Sequence, residues 1–77
     1  MDIQRKRARD MLIHSTKTKF YAILDEAKIS PLQYKIMVGV FVEHKSRVQL
    51  SLENFVCVET IRNEIAKAYD NIKGVLL

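Results

Sequence analysis

The chain has 77 residues, a formal net charge of +4 and a single cysteine. One cysteine excludes an intramolecular disulfide and C-x-x-C metal spacing, and neither histidine has ligand-like neighbours, so we expect no metal or other cofactor. No apolar run reaches the roughly 20 residues that span a bilayer, and we therefore expect a soluble, cytoplasmic protein without a membrane partner.

The positive charge is concentrated near the start of the chain. Residues 1–19 contain six Lys/Arg against two Asp, whereas residues 20–77 contain seven basic and seven acidic residues. Such a block attracts nucleic acid and other polyanions, and it is equally typical of a solvated terminal segment. We interpret residues 1–29 as a basic N-terminal helical extension. The first polar helix of this extension ends near His14, and a second helix runs from Thr16 to Lys28.

The clearest start of a helix lies at Ser30-Pro31-Leu32-Gln33. Serine suits the N-cap, proline the first helical position, and Gln33 the partner position of a capping box. An apolar face through Leu32, Ile36 and Phe41 then favours a third helix over a strand. The most regular pattern comes last, because Ile61, Ile65, Ala68, Tyr69, Ile72 and Leu76 line one face of a long amphipathic helix from Glu59 onward.

The segment between these helices allows two interpretations. Val48, Leu50 and Leu52 alternate with polar residues, as in a half-buried strand, which would give an α+β fold with a hairpin at 48–58. Its turn would be Glu-Asn, which suits a two-residue hairpin poorly. In the alternative, Ser46 caps a helix whose apolar face is formed by Val48, Leu52 and Phe55 at i, i+4 and i+7. Periodicity alone does not decide between the two.

A resemblance across about forty residues favours the helix. The matching stretches are Ser30-Pro31-Leu32-Gln33-Tyr34-Lys35-Ile36-Met37, Phe41-Val42-Glu43-His44-Lys45-Ser46, Thr60-Ile61-Arg62 and Lys67-Ala68-Tyr69. They resemble sigma factor region four and LuxR-type domains, and most of all the short sigma-like helix-turn-helix proteins of phages and prophages. The resemblance implies an all-α bundle of four to five helices with a C-terminal helix-turn-helix in residues 30–77.

Four positions depart from the family's pattern. His44 stands at the junction glycine, and Gln49-Leu50-Ser51 replaces a Glu-Ile-Ala triplet. Asn54 replaces a leucine whose packing we expect Phe55 to take over. Cys57 replaces the serine that caps the recognition helix, and we interpret it as a small packed residue near the turn. These departures bear on affinity for DNA more than on the fold.

The resemblance also implies a function, that of a sigma-like, phage-derived transcription regulator that binds double-stranded DNA. In a helix-turn-helix the second helix lies in the major groove. The positions that would read bases are Glu59, Thr60, Arg62 and Asn63, with Val58 beside them. The candidate phosphate contacts are Arg5, Lys6, Arg7, Arg9, Lys45, Ser46, Arg47 and Lys67.

A second interpretation is a protein-interaction module, in which a degenerate helix-turn-helix binds RNA polymerase, a sigma factor or itself. The neutral charge of residues 20–77 and the altered cap at Cys57 favour it. Contact with RNA polymerase is implied by the family resemblance alone, and a homodimer would double the number of phosphate contacts. We expect no enzymatic activity, because the sequence contains no nucleophile–base spacing, paired carboxylates or phosphate-cradling glycine loop.

Overall fold

The chain folds into a bundle of helices. The structure is a computed structural model that describes residues 3–76, and the side chains of residues 3–75. The elements are α1 (Ile3–Ile13), α2 (Lys17–Ala27), α3 (Pro31–Phe41), α4 (Arg47–Asn54) and α5 (Val58–Leu76). No strand occurs within residues 3–76, so the all-α prediction is confirmed and the hairpin alternative at 48–58 is wrong. No helix in that range is long and apolar enough to cross a membrane.

Three helices begin where the sequence places a side-chain cap. The Thr16 hydroxyl accepts a hydrogen bond from the Lys19 N–H at 3.2 Å, and the Ser46 hydroxyl accepts one from the Gln49 N–H at 3.1 Å. Ser30 and Gln33 form a complete capping box with two bonds of 3.2 Å. Each bond satisfies a backbone N–H that has no partner inside the helix. The predicted starts of α2, α3 and α4 are therefore confirmed.

The ends of α2, α3 and α4 are less apparent from the sequence, because none of them uses glycine. Lys28, His44 and Phe55 adopt left-handed backbone conformations with φ of 51°, 56° and 57°. Glycine adopts this conformation without a steric penalty, while other residues are strained by about 1–2 kcal/mol. His44 occupies the position where the sigma-like pattern has glycine, and its φ shows why glycine suits that junction.

The core is organised around one face of α5. Ile61, Ala68 and Ile72 are completely buried, and Ile65 and Tyr69 are nearly so. This face packs against all four other helices. The periodicity prediction for the last helix is confirmed over these five positions, and the side chain of Leu76 lies outside the described residues.

The basic N-terminal segment shares this core. Ala8 and Leu12 of α1 are buried, as are Phe20, Ile23 and Leu24 of α2. Both helices pack directly on α5. The charged block is therefore carried by helices docked on α5, and the division at residue 29 stays a prediction.

The predicted apolar face of α4 is wrong, although the helix itself is confirmed. Val48, Leu52 and Phe55 are exposed, whereas Leu50 and Ser51 are buried. The reason is a close approach of α3: a Cβ placed on Gly39 would lie 2.5 Å from Leu50 Cδ2. Leu50 therefore fills the space that a glycine leaves open. With Leu50 buried, Val48, Leu52 and Phe55 lie on the solvent-exposed side of the helix.

Two leucines on α4 provide a matched test of this orientation. We expect Leu50→Ala to lower the free energy of unfolding by about 2–4 kcal/mol, because it removes a buried side chain and leaves a cavity. Leu52→Ala changes an exposed side chain two residues away and should cost less than about 0.5 kcal/mol. Urea unfolding at low micromolar protein concentration measures both. Equal losses in the two variants would contradict the observed orientation of α4.

Candidate nucleic-acid interface

Helices α4 and α5 have the connection of a helix-turn-helix. The eight residues of α4 are joined to the nineteen of α5 by a three-residue turn, Phe55–Cys57. The turn begins with the left-handed Phe55, and the Val56 N–H donates to the Ser51 carbonyl at 3.1 Å. Two helices joined by a turn of three or four residues, often with a glycine-like conformation, are typical of this motif.

Cys57 lies at the end of this turn, directly before α5. It is exposed, so the prediction that it is a packed residue is wrong. Its carbonyl accepts the N–H of Ile61 at 3.2 Å, and its Sγ lies 3.1 Å from the Thr60 hydroxyl. Hydrogen bonds from the Thr60 hydroxyl and the Thr60 backbone N–H lower the pKa of the Cys57 thiol. Cys57 therefore lies at the capping position of α5, with a sulfur where a serine cap would present a hydroxyl oxygen.

The candidate base-reading residues lie on the first two turns of α5. Glu59, Arg62 and Asn63 are exposed, and Thr60 is half-buried against Cys57. Positions three and four apart share one face of a helix. Glu59, Arg62 and Asn63 therefore form one accessible surface, while Ile61 and Ile65 face the core as predicted.

A basic groove runs beside this surface. Its volume is about 950 Å³, and its lining contains no Asp or Glu within the described part of the chain. The apolar floor includes Leu12, Phe20, Phe41, Ile65 and Tyr69. The cationic side chains of the groove are Arg5, Arg9, Lys17, Arg47 and Arg62. Four helices thus bring together cations that are as far as 57 positions apart in the sequence.

The predicted phosphate contacts occupy different environments. Arg9 and Arg47 are exposed and line the basic groove. Arg5 also lines it, but its Nε and Nη2 each donate to Asp70 at 2.8 Å. Lys6 and Arg7 are exposed on α1 and do not line the groove.

The remaining phosphate candidates interact with neighbours in the chain. Lys45 Nζ lies 2.7 Å from Glu53 and 3.5 Å from Glu43, and the hydrogen bond to Glu53 is the main reason why the pKa of Lys45 is raised. Lys67 lies 3.6 Å from Glu64. The Ser46 hydroxyl is occupied by its cap. Among the residues predicted to contact DNA, Arg9, Arg47 and Arg62 are therefore the cations best placed to meet an anionic partner.

Two basic residues of the groove are not among the predicted phosphate contacts. Lys17 belongs to the basic block of residues 1–19, and His44 lies at the α3–α4 junction. No local signal distinguishes Lys17 from Lys19, its neighbour on α2, because the groove exists only when the other helices are assembled around it. His44 is exposed, and its left-handed backbone accompanies its position on the lining of the groove.

Comparisons with known proteins add no assignment. No protein-family model, curated protein or solved structure matches the chain. Among the described residues, no group of three or more His, Cys, Asp or Glu side chains could hold a metal ion. Any functional inference therefore rests on the arrangement of α4, α5 and the basic groove.

The ion pair between Arg5 and Asp70 predicts a pH dependence of stability. The Arg5 hydrogen bonds lower the pKa of Asp70 in the folded chain, so the pair stabilises the fold above the unfolded pKa of about 3.9. That contribution is lost as the pH falls through the lowered pKa. Because both side chains are more than a third exposed, we expect only about 0.5–1 kcal/mol.

Urea unfolding of the wild type and Asp70→Asn at pH 6 and at pH 3 measures this effect. The difference in unfolding free energy between the two proteins should shrink at the lower pH. The matched control is Asp10→Asn, which removes an exposed carboxylate from α1. A difference between wild type and Asp70→Asn that is independent of pH would contradict a role for the ionised pair.

The cap of α5 provides a further prediction. Serine accepts the backbone hydrogen bond of an N-cap better than a thiol does, so Cys57→Ser should raise the free energy of unfolding. Cys57→Val removes the polar atom and should lower it. Chemical unfolding of the three proteins under reducing conditions gives the order. Equal stability of Cys57→Ser and Cys57→Val would show that Cys57 does not cap α5.

Proposed function

We propose that this protein is a sigma-like transcription regulator that binds double-stranded DNA with α5 in the major groove. The observation that carries the proposal is the basic groove beside the first turns of α5. Arg62 belongs both to the lining of this groove and to the exposed reading surface. A helix end that presents polar side chains beside a groove lined by several cations is suited to the base edges and phosphates of a duplex.

The exposed side chains at the start of α5 determine how bases would be read. Arg62 can donate two hydrogen bonds to guanine O6 and N7, and Asn63 can make a bidentate contact with adenine. Glu59 can accept from cytosine N4, and Thr60 can contact either partner of a base pair. These contacts supply sequence preference, whereas Arg9 and Arg47 supply phosphate affinity without preference.

The positions of the charges in the fold support this interface, although the net charge of residues 20–77 does not. Residues 20–77 are neutral, but the carboxylates around α5 are largely engaged within the protein. Asp70 is paired with Arg5, Glu53 with Lys45, and Glu64 accepts a bond from the Gln33 amide at 2.8 Å. Meanwhile α1 brings Arg9 to the same groove as Arg47 and Arg62. The unpaired surface charge around this groove is therefore predominantly positive.

The alternative function, a protein-interaction module, is favoured by a different observation. Val48, Leu52 and Phe55 form an exposed apolar face on α4, away from the buried Leu50. An apolar surface of this kind is typical of protein contacts. This function would require a stable protein complex and no affinity for DNA at low salt.

Binding to DNA is tested by fluorescence anisotropy with a labelled random-sequence duplex, titrated with salt. Because each phosphate contact contributes about 0.9 to the slope of log affinity against log salt, Arg9→Ala and Arg47→Ala should each reduce that slope by about one. The control Lys35→Ala removes an exposed cation of α3 that does not line the basic groove, and it should leave the slope unchanged.

Base reading is tested by selecting duplexes from a random library with the wild-type protein. On the selected duplex, Arg62→Ala and Asn63→Ala should each weaken binding by about 1–3 kcal/mol and relax preference at one base position. No binding at low salt, or equal affinities of all variants and the Lys35→Ala control, would refute the proposed function.

A further inference from the structure

The basic groove has an apolar floor for which a DNA backbone has no use. Phe20, Phe41 and Tyr69 meet in its lining, with ring centroids 5.6 Å apart between Phe20 and Phe41 and 6.5 Å apart between Phe41 and Tyr69. Phe41 is half-buried, and Ile13 at the end of α1 is 50% exposed. Apolar and aromatic side chains with a few polar groups among them are typical of sites that bind small molecules. The floor therefore suits the apolar part of a ligand.

The hydroxyl of Tyr69 is a polar group of this groove that lacks a partner in the fold. Tyr69 is only 4% exposed, and its hydroxyl makes no hydrogen bond to any described residue. In the same part of the chain, no fully buried side-chain nitrogen or oxygen lacks a partner, so the Tyr69 oxygen must be accessible from the groove that the residue lines. A buried tyrosine hydroxyl usually has a hydrogen-bond partner. This one is available to a molecule in the groove.

Two arginines from other helices lie near this hydroxyl. Burial raises the pKa of Tyr69, and the charges of Arg9 on α1 and Arg47 on α4 partly oppose that rise, so both guanidinium groups are close enough to act on the phenol. Both arginine side chains are exposed, and neither forms an ion pair within residues 3–75. We call Arg9, Arg47 and Tyr69 the anion cradle. It offers two cations and one O–H donor to a single negative group.

We propose that the basic groove binds an amphiphilic carboxylate, a single apolar chain of about eight to twelve carbons that ends in a carboxylate group. The carboxylate accepts hydrogen bonds in the anion cradle, where arginine can pair with both of its oxygens. The chain lies on the apolar floor and covers Phe41 and Ile13. The groove volume of about 950 Å³ is within the range of small-molecule sites and is far larger than a bare anion needs.

The inference does not require DNA binding, and its test contains no DNA. A ligand of this size in an open groove should bind weakly, with a Kd of about 0.1–1 mM. The bound carboxylate would neutralise Arg9 and Arg47, the same cations that the proposed function assigns to phosphates. Ligand and duplex should therefore compete, and this consequence alone rests on the proposed function.

NMR titration of the isotope-labelled full chain with decanoate tests the inference. Saturable shifts of the backbone amides around Phe41 and Tyr69 are expected. Two ligands serve as matched controls: butyrate has the same carboxylate on a short chain, and decyltrimethylammonium has the same chain with the opposite charge. Each should bind at least about tenfold more weakly than decanoate, because the first buries fewer CH₂ groups and the second is repelled by the cations.

Protein variants test whether the carboxylate lies in the anion cradle. Tyr69→Phe keeps the buried ring and removes only the hydroxyl, so the Kd for decanoate should rise about three- to tenfold. Arg47→Gln alters an exposed side chain and should raise the Kd by about tenfold or more. The control Lys35→Gln removes an exposed cation of α3 that does not line the basic groove, and it should leave the Kd unchanged. The urea midpoint of each variant shows that it is folded.

Four results would overturn the proposal. The first is the absence of saturable shifts up to about 5 mM decanoate. The second and third are binding of butyrate or of decyltrimethylammonium as tight as that of decanoate, since the apolar floor or the cations would then play no part. The fourth is an unchanged Kd for decanoate in both Tyr69→Phe and Arg47→Gln, because the carboxylate would then lie outside the anion cradle.

Discussion

The apolar face of α5 is the constraint on which the rest of the structure depends. Helix α5 packs against all four other helices, and Ile61, Ala68 and Ile72 on this face are completely buried. Once that face is covered, the orientation of α5 is determined, because rotating the helix would expose isoleucine and bury charge. The exposed positions of Glu59, Arg62 and Asn63 follow from this packing. The candidate reading surface is therefore a consequence of the core.

The position of α1 shows how a charged terminal helix becomes part of a site. Ala8 and Leu12 anchor it on the core, and the bidentate pair of Arg5 with Asp70 ties it to α5 at 2.8 Å. Arg9 is then held beside Arg47 and Arg62. A flexible arm could place the same charge there, but only with an entropic cost of ordering that a docked helix avoids. Residues 20–77 carry no net charge. The cations that α1 and α2 add to the groove therefore make this surface positive.

The C-caps of α2 and α4 and the junction between α3 and α4 contain left-handed residues that carry side chains. Lys28, His44 and Phe55 all accept a conformation that glycine would adopt more readily, and the two glycines of the chain, Gly39 and Gly74, lie inside helices. Gly39 has a packing reason, since Leu50 occupies the space of its missing side chain. At His44 and Phe55 the strain accompanies exposed side chains, one on the lining of the basic groove and one on the outward face of α4. Local stability and surface chemistry are in conflict at these two junctions.

The sequence by itself determined the capped starts of α2 and α3 and the buried face of α5. These features depend on contacts within four residues or on a periodicity sustained over five turns, and both are visible in a single chain. For residues 46–58 the sequence offered a cap at Ser46 but also a hairpin, and the structure decided for the helix. Only the tertiary structure decided which face of α4 is buried, that Cys57 is exposed, and which cations share a groove. An eight-residue helix with apolar residues on two sides has no preferred face of its own. Gly39, eleven positions before Leu50, leaves the space that Leu50 fills, and this contact selects the buried face. Side chains from all five helices form the groove, and only the assembled core brings them together.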